Sequence, residues 1–257
     1  MIYRTVTLAP YEGATLTAIC VSNTPELKQP PRRAVVVCPG GGYNMLSDRE
    51  AEPIATQFLA AGFATFILRY TVGDGAANFA PLCQVALAIR HVREHAAEYN
   101  VDPDYVFTCG FSAGGHLTAM WGAENHGARH FGIPNPRALL LAYPLIGLEN
   151  LSGPAAQMLC SGLLGIHSGE EKTAEYTASR QVDSGYPPVY LVQAEDDNTV
   201  PKQDAADMEM ALVKAGIPHR IERVPSGGHG FGLGTATAAN GWISRALDFV
   251  EENRYAK

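Results

Sequence analysis

The sequence predicts an α/β protein built on one doubly wound, mostly parallel sheet with helices on both faces. Three observations predict it. Short apolar runs rich in β-formers recur along the chain, as at Val35-Val36-Val37-Cys38 and Val189-Tyr190-Leu191-Val192. Segments with apolar residues at steps of three and four stand between such runs, so strand and helix alternate. A length of 257 residues, 46% hydrophobic and 18% charged, suits one α/β domain with a sizeable core, taken as residues 1–257.

In chain order, residues 3–8 and 14–21 read as two strands with the turn over Pro10 to Gly13, and the second alternates Leu16, Ala18 and Cys20 on one face. The proline-rich connection Gln29-Pro30-Pro31 leads to a strand at 34–38, apolar throughout as in strands buried on both faces. Ile54, Phe58, Leu59 and Ala61 suggest a helix that starts near Pro53, because proline is tolerated in a first turn. A strand at 63–70 follows. Leu82, Val85, Ile89, Val92 and Ala96 then form an apolar stripe that predicts a helix over 81–98. Strands are expected at 105–109, 138–143 and 189–194. A helix over 202–215 should stop at Gly216, before a strand at 219–224 and a last helix over 238–252. Met158, Leu159, Leu163 and Leu164 suggest one or two short helices between Pro144 and Pro188, and residues 145–187 are expected to form a small lid insertion.

Composition narrows the function. A net charge of −7 without a basic run argues against nucleic acid or an anionic membrane as partner. No segment approaches the roughly 18 apolar residues of a membrane span. The N-terminus lacks a charged stretch followed by an apolar one, so a cytoplasmic location is the expectation. The five cysteines, Cys20, Cys38, Cys83, Cys109 and Cys160, are widely spaced and odd in number, and are expected to be free thiols. No zinc pattern is present, since His91, His95, His126, His130, His167 and His219 show no ligand spacing, so neither metal nor cofactor is expected.

In a parallel sheet of this kind, functional residues collect beyond the carboxyl ends of the strands. Three such places carry chemistry. After the strand ending near Cys109 comes Gly110-Phe111-Ser112-Ala113-Gly114-Gly115, a G-x-S-x-G turn from strand to helix. Its glycines permit a sharp turn that projects the Ser112 hydroxyl above the sheet, as a nucleophile requires. After Cys38 comes Pro39-Gly40-Gly41-Gly42-Tyr43, whose exposed amides suit an oxyanion; Gly41 and Gly42 are the candidates, together with Ala113 just after the serine. A phosphate loop would want Lys and then Ser or Thr after its last glycine, and Tyr43-Asn44 does not supply them. The third place is made by two loops, Glu195-Asp196-Asp197 and Gly227-Gly228-His229-Gly230. A carboxylate in the first can orient the imidazole of His229 in the second, and the order Ser, Asp, His suits this kind of nucleophile turn. His116, one turn after Ser112, is expected to be a polar support near the site. Tyr43, Tyr143, Phe231 and His116 are candidate substrate contacts, and Tyr70 is a further aromatic at the expected mouth.

With these motifs the chain resembles the α/β-hydrolase superfamily, and more narrowly the small bacterial esterases related to hormone-sensitive lipase and to acetylxylan and feruloyl esterases. The resemblance runs from about Ala34 to the C-terminus. It rests on Pro39-Gly40-Gly41-Gly42-Tyr43, Ser47-Asp48-Arg49-Glu50, Gly110-Phe111-Ser112-Ala113-Gly114-Gly115-His116, Asp197-Asn198-Thr199-Val200-Pro201 and Gly228-His229-Gly230. It implies the triad acid three residues before the Val of Val200-Pro201, which selects Asp197 over Asp196, and an oxyanion hole of Gly41, Gly42 and Ala113. The lipase-like motif begins with His, whereas this chain has Pro39, which fits the carbohydrate-esterase subgroup. The implied activity is hydrolysis of short acyl esters, first acetyl groups on sugars or xylan, with feruloyl or lactone esters as the alternative. A serine peptidase and a non-catalytic binding module on the same fold are the other readings. The expected partner is a small-molecule or oligosaccharide ester.

Overall fold

The computed structural model describes residues 1–165 and 170–253. In chain order its strands are β1 (Ile2–Leu8), β2 (Tyr11–Cys20), β3 (Arg32–Cys38), β4 (Ala64–Arg69), β5 (Val101–Phe111), β6 (Leu139–Ala142), β7 (Val189–Ala194) and β8 (His219–Val224). Its helices are α1 (Glu52–Ala60), α2 (Ala80–Glu94), α3 (Ala96–Tyr99), α4 (Ser112–Trp121), α5 (Gly153–Leu164), α6 (Glu170–Glu175), α7 (Lys202–Ala215) and α8 (Trp242–Glu252). The strands form one eight-stranded sheet in the order β1-β2-β4-β3-β5-β6-β7-β8. β1 and β2 pair antiparallel and β2 lies antiparallel on β4. From β4 to β8 every pairing is parallel.

Successive side chains of a strand point to opposite faces, and the core divides on that rule. Val36 and Cys38 of β3 join Leu139 and Leu141 of β6 and Leu191 of β7 in one apolar cluster, which takes in Val85 and Ile89 of α2, Leu117 of α4 and Met208 of α7. Val35 and Val37 join Leu140, Tyr190 and Val192 on the opposite face, against Ile54 and Phe58 of α1 and Phe249 of α8. Both faces are thus covered, the condition under which β3 reads as a continuous apolar run.

The chain leaves β3, returns as β4 on one side, then crosses to β5 on the other. Loops after β3 and β5 therefore face each other at a topological switch point, where α/β sheets open their crevice.

Two predicted helices differ at their ends. The stretch expected as one helix over 81–98 breaks at His95, which leaves helical geometry at φ −104° and ψ 20°. The His91 carbonyl there receives both the His95 amide (3.1 Å) and the His95 ring Nδ1–H (2.9 Å). The last helix starts four residues later than expected, at Trp242, because Gly241 precedes it in a left-handed conformation. Between β6 and β7 lie short turns, α5 and α6; residues 166–169, His167 included, fall outside the described residues. The start of this insertion is pinned by Asp204 of α7, whose buried carboxyl accepts the amides of Ile146 (2.6 Å) and Gly147 (3.2 Å) and the Asn150 side-chain amide (2.8 Å).

All five cysteines are free. Among the described residues no helix is long and apolar enough to cross a membrane, and no group of three or more metal-ligating side chains gathers.

Candidate active site

The site is built outward from Ser112. Strand β5 ends at Phe111 and α4 begins at Ser112, with no residue between, and Ser112 holds φ at 51°. A non-glycine residue in the left-handed region carries strain that the surroundings must impose, and close approaches impose it here. A side chain on Gly110 would meet the Gly114 carbonyl oxygen at 2.2 Å. One on Gly114 would meet the carbonyl oxygens of Cys38 and Pro39 at 2.1 and 2.3 Å. The glycines therefore let α4 sit directly on the end of β3.

The Ser112 hydroxyl lies 2.8 Å from His229 Nε2, and His229 Nδ1 lies 2.8 Å from Asp197 Oδ2. Nδ1–H donates to the carboxylate, which leaves Nε2 as the acceptor for the serine hydroxyl. Asp197 is buried, and its second oxygen, Oδ1, accepts the amides of Thr199 (2.8 Å) and Val200 (3.0 Å). Burial alone would raise this carboxyl, but its bonds from His229, Thr199 and Val200 outweigh it and hold the group below its ordinary value. Asp196, the rejected neighbour, turns away and accepts the Gly228 amide at 2.7 Å, holding the histidine loop.

The oxyanion candidates lie between β3 and α4. The amide of Gly40 is committed to Glu50 Oε2 at 2.7 Å. Among the described residues, neither Gly41 nor Gly42 donates its amide to a protein acceptor. The Gly41 carbonyl closes the loop by accepting the amides of Asn44 and Met45, each at 3.1 Å. Ala113 stands in the first turn of α4, where helix amides lack intrahelical partners.

Of the expected substrate contacts, three are buried and hydrogen-bonded within the protein. Tyr43, Tyr143 and His116 are buried and present no ring face to a ligand, whereas Phe231 is half-buried beside the histidine loop. Tyr70 is buried too, with its hydroxyl on the Pro39 carbonyl at 2.6 Å. His116 Nε2–H donates to the Tyr176 carbonyl (2.7 Å), so Nδ1 accepts from the Tyr43 hydroxyl (2.9 Å). Burial pushes this imidazole down to about 4, so it stays neutral and ties the glycine loop at Tyr43 to the 145–187 segment at Tyr176. The Tyr143 hydroxyl donates to Glu50 Oε1 (2.9 Å) and accepts the Gly232 amide (3.0 Å), while its ring meets that of His229 edge-on at 5.1 Å.

Glu50 was not singled out from the sequence as a site residue. It sits in the charged stretch Ser47-Asp48-Arg49-Glu50, which reads as surface, yet it is 3% exposed. The presence of that stretch among the motifs of the resemblance was the one available signal.

The BD-FAE family model matches residues 23–212. The chain belongs to this family. An acetylxylan esterase of Xylanibacter ruminicola is 31% identical over 214 residues, 81% of this chain and 43% of that protein. An endo-1,4-beta-xylanase B of Butyrivibrio fibrisolvens is 28% identical over 220 residues, 82% of this chain and 34% of that protein. This BD-FAE chain thus spans less than half the length of these two relatives. Among solved structures, an acetyl ester-xyloside bifunctional hydrolase from Caldicellulosiruptor lactoaceticus superposes with a TM-score of 0.83 at 27% identity, covering 95% of this chain and 89% of that one. MGS-M1, an alpha/beta hydrolase from a deep-sea metagenome library, superposes at 0.79 with 28% identity and 98% of each chain covered. The fold is the α/β-hydrolase fold.

Proposed function

We propose that this chain is a serine carboxylic-ester hydrolase that removes short acyl groups, acetyl first, from sugars or xylan-type oligosaccharides. The observation that carries the chemistry is the unbroken line Asp197–His229–Ser112, with both links at 2.8 Å, together with the uncommitted amides of Gly41 and Gly42. The carbohydrate side rests on the acetylxylan esterase and acetyl ester-xyloside hydrolase among the similar proteins.

His229 Nε2 takes the Ser112 proton as Oγ attacks the ester carbonyl, and Asp197 stabilises the imidazolium that forms. The amides of Gly41, Gly42 and Ala113 receive the oxyanion; losing one such donor typically costs about 2.7–4 kcal/mol. His229 then protonates the departing alcohol. Water, activated at the same nitrogen, releases the acid and restores the serine. No cofactor enters these steps. The 145–187 insertion, which carries α5 and α6, is read as the lid of a single domain.

A p-nitrophenyl acetate-to-octanoate series beside acetylated xylan, with wild type and Ser112→Ala, tests the reading. Short esters should be preferred, acetate should leave xylan, and the alanine variant should lose at least about 10³-fold while remaining folded. A variant keeping a tenth of the activity would overturn the serine. Preference for octanoate, with xylan untouched, would overturn the substrate.

A further inference from the structure

Resting on that reading, we infer that Glu50 is a positioning residue that holds the oxyanion loop and the histidine loop in one frame, so that it governs the chemical step and leaves substrate binding nearly untouched. Its carboxyl is buried where the two loops meet. Oε2 accepts the Gly40 amide at 2.7 Å, one residue before the first oxyanion candidate. Oε1 accepts the Tyr143 hydroxyl at 2.9 Å, and that hydroxyl accepts the Gly232 amide at 3.0 Å, three residues after His229.

The backbone fixes Glu50 against the same loop. The Glu50 amide donates to the Ser47 carbonyl (3.1 Å), and the Ser47 amide donates to the Gly40 carbonyl (3.0 Å). Gly40 is therefore held at both its N–H and its C=O, which sets the direction of the following amides. A side chain on Gly40 would stand 2.9 Å from Glu50 Oε2 and 2.8 Å from the Ser112 Cβ, a measure of how closely carboxyl, loop and nucleophile approach. Oxyanion donors act by standing at the right place before charge develops, so their value depends on how firmly the loop is held.

Glutamine separates the two arms. Its carbonyl oxygen can take the Gly40 amide, but its NH2 then faces a Tyr143 hydroxyl that already accepts from Gly232, and the hydroxyl proton loses its acceptor. Alanine loses both arms, and Tyr143→Phe breaks only the histidine-loop arm.

The experiment measures kcat and KM on p-nitrophenyl acetate, and inhibition by phenylboronic acid, for wild type, Glu50→Gln, Glu50→Ala, Tyr143→Phe and Ser112→Ala. Ser112 Oγ adds to the boron as its proton passes to His229 Nε2, and the boron becomes a tetrahedral anion, so its affinity reads the oxyanion frame. Rates of the serine-bearing proteins are expressed per serine titrated to completion with a fluorophosphonate, which removes misfolded protein from the count, and the rate of Ser112→Ala per folded protein as judged by circular dichroism. Glu50→Ala should lose about 10²-fold in kcat with KM within about threefold, boronate affinity should weaken in parallel, and Glu50→Gln should recover part of both. Should Glu50→Ala not fold, Glu50→Gln and Tyr143→Phe carry the test, each losing about tenfold in kcat. The inference is overturned if both keep kcat and boronate affinity within twofold of wild type, or if their losses lie in KM. Inactive Ser112→Ala beside unaffected Glu50 variants would sink this inference alone. Active Ser112→Ala, or a wild type that neither turns over esters nor binds the boronate, would remove the catalytic reading and this inference with it.

Discussion

Replacing Asp197 by Asn keeps the shape of the side chain and removes one acceptor, which makes its consequence calculable. The native carboxylate fills two acceptor positions: Oδ1 receives the amides of Thr199 and Val200, at 2.8 and 3.0 Å, and Oδ2 receives His229 Nδ1–H at 2.8 Å. Asparagine has one carbonyl oxygen for both. With that oxygen at Oδ1 the two amides are satisfied and the NH2 points at His229 Nδ1, which must then be the unprotonated nitrogen. The ring proton moves to Nε2, and Ser112 Oγ loses its base. With the oxygen at Oδ2 the correct tautomer survives, but the NH2 confronts two backbone donors, and both it and the Val200 amide are left unpaired in a buried position. An unsatisfied buried donor costs about 1–3 kcal/mol, so two cost about 4 kcal/mol. At about 1.4 kcal/mol per tenfold, the competent orientation is populated to about one part in 10³. Turnover of p-nitrophenyl acetate at neutral pH should therefore fall by about 10³-fold, near the ~10⁴-fold that a wrong imidazole tautomer costs such a triad. Circular dichroism should show an unchanged fold. Asp196→Asn is the matched control. Among the described residues Asp196 receives only the Gly228 amide, which an asparagine carbonyl accepts as well, so a loss of no more than about threefold is expected. A folded Asp197→Asn enzyme retaining a tenth of wild-type turnover would refute the assignment of Asp197.

Two further predictions rest on other parts of the site. Gly114→Ala places a methyl group 2.1 Å from the Cys38 carbonyl oxygen, so α4 must move by roughly 1 Å from β3 and carry Ser112 with it. Chemical denaturation should show a loss of about 1–3 kcal/mol or more, and kcat should drop about 10²-fold; wild-type stability and rate would contradict the geometry. His116, held neutral with its folded value down at about 4 against about 6.5 unfolded, makes stability depend on pH. Between those values the unfolded chain binds a proton that the folded one refuses, so stability falls as the pH falls from about 6.5 to about 4, by about 3 kcal/mol in all. His116→Gln keeps a donor for the Tyr176 carbonyl and removes the titration, so its thermal midpoint should fall less steeply over that window. Parallel midpoint curves for the two proteins would place the titration elsewhere.

The fold and the candidate reacting groups were legible because they leave local marks. A strand buried on both faces must be apolar throughout, as at Val35-Val36-Val37-Cys38, and a strained turn that brings a helix onto a strand end admits only glycine, as at Gly110 and Gly114. Chain order then placed Ser112, the acidic loop and His229 beyond successive strand ends. The helix break at His95 and the late start of α8 were less legible, since each depends on backbone geometry at a single residue.

The chain order of residues alone, then, determined the α/β class, the switch-point site and a serine, an acid and a histidine able to share one proton path. Only the tertiary structure decided what supports them. It buried Tyr43, Tyr143 and His116 behind the site, set Asp197 and Asp196 on different partners, and drew Glu50 out of a charged stretch to join Gly40 and Tyr143. The reason is physical. Apolar periodicity and glycine requirements act within a few residues, so they appear in the sequence. The partner of a buried polar group is whichever donor the folded chain brings to it, and Tyr143 lies 93 residues from Glu50.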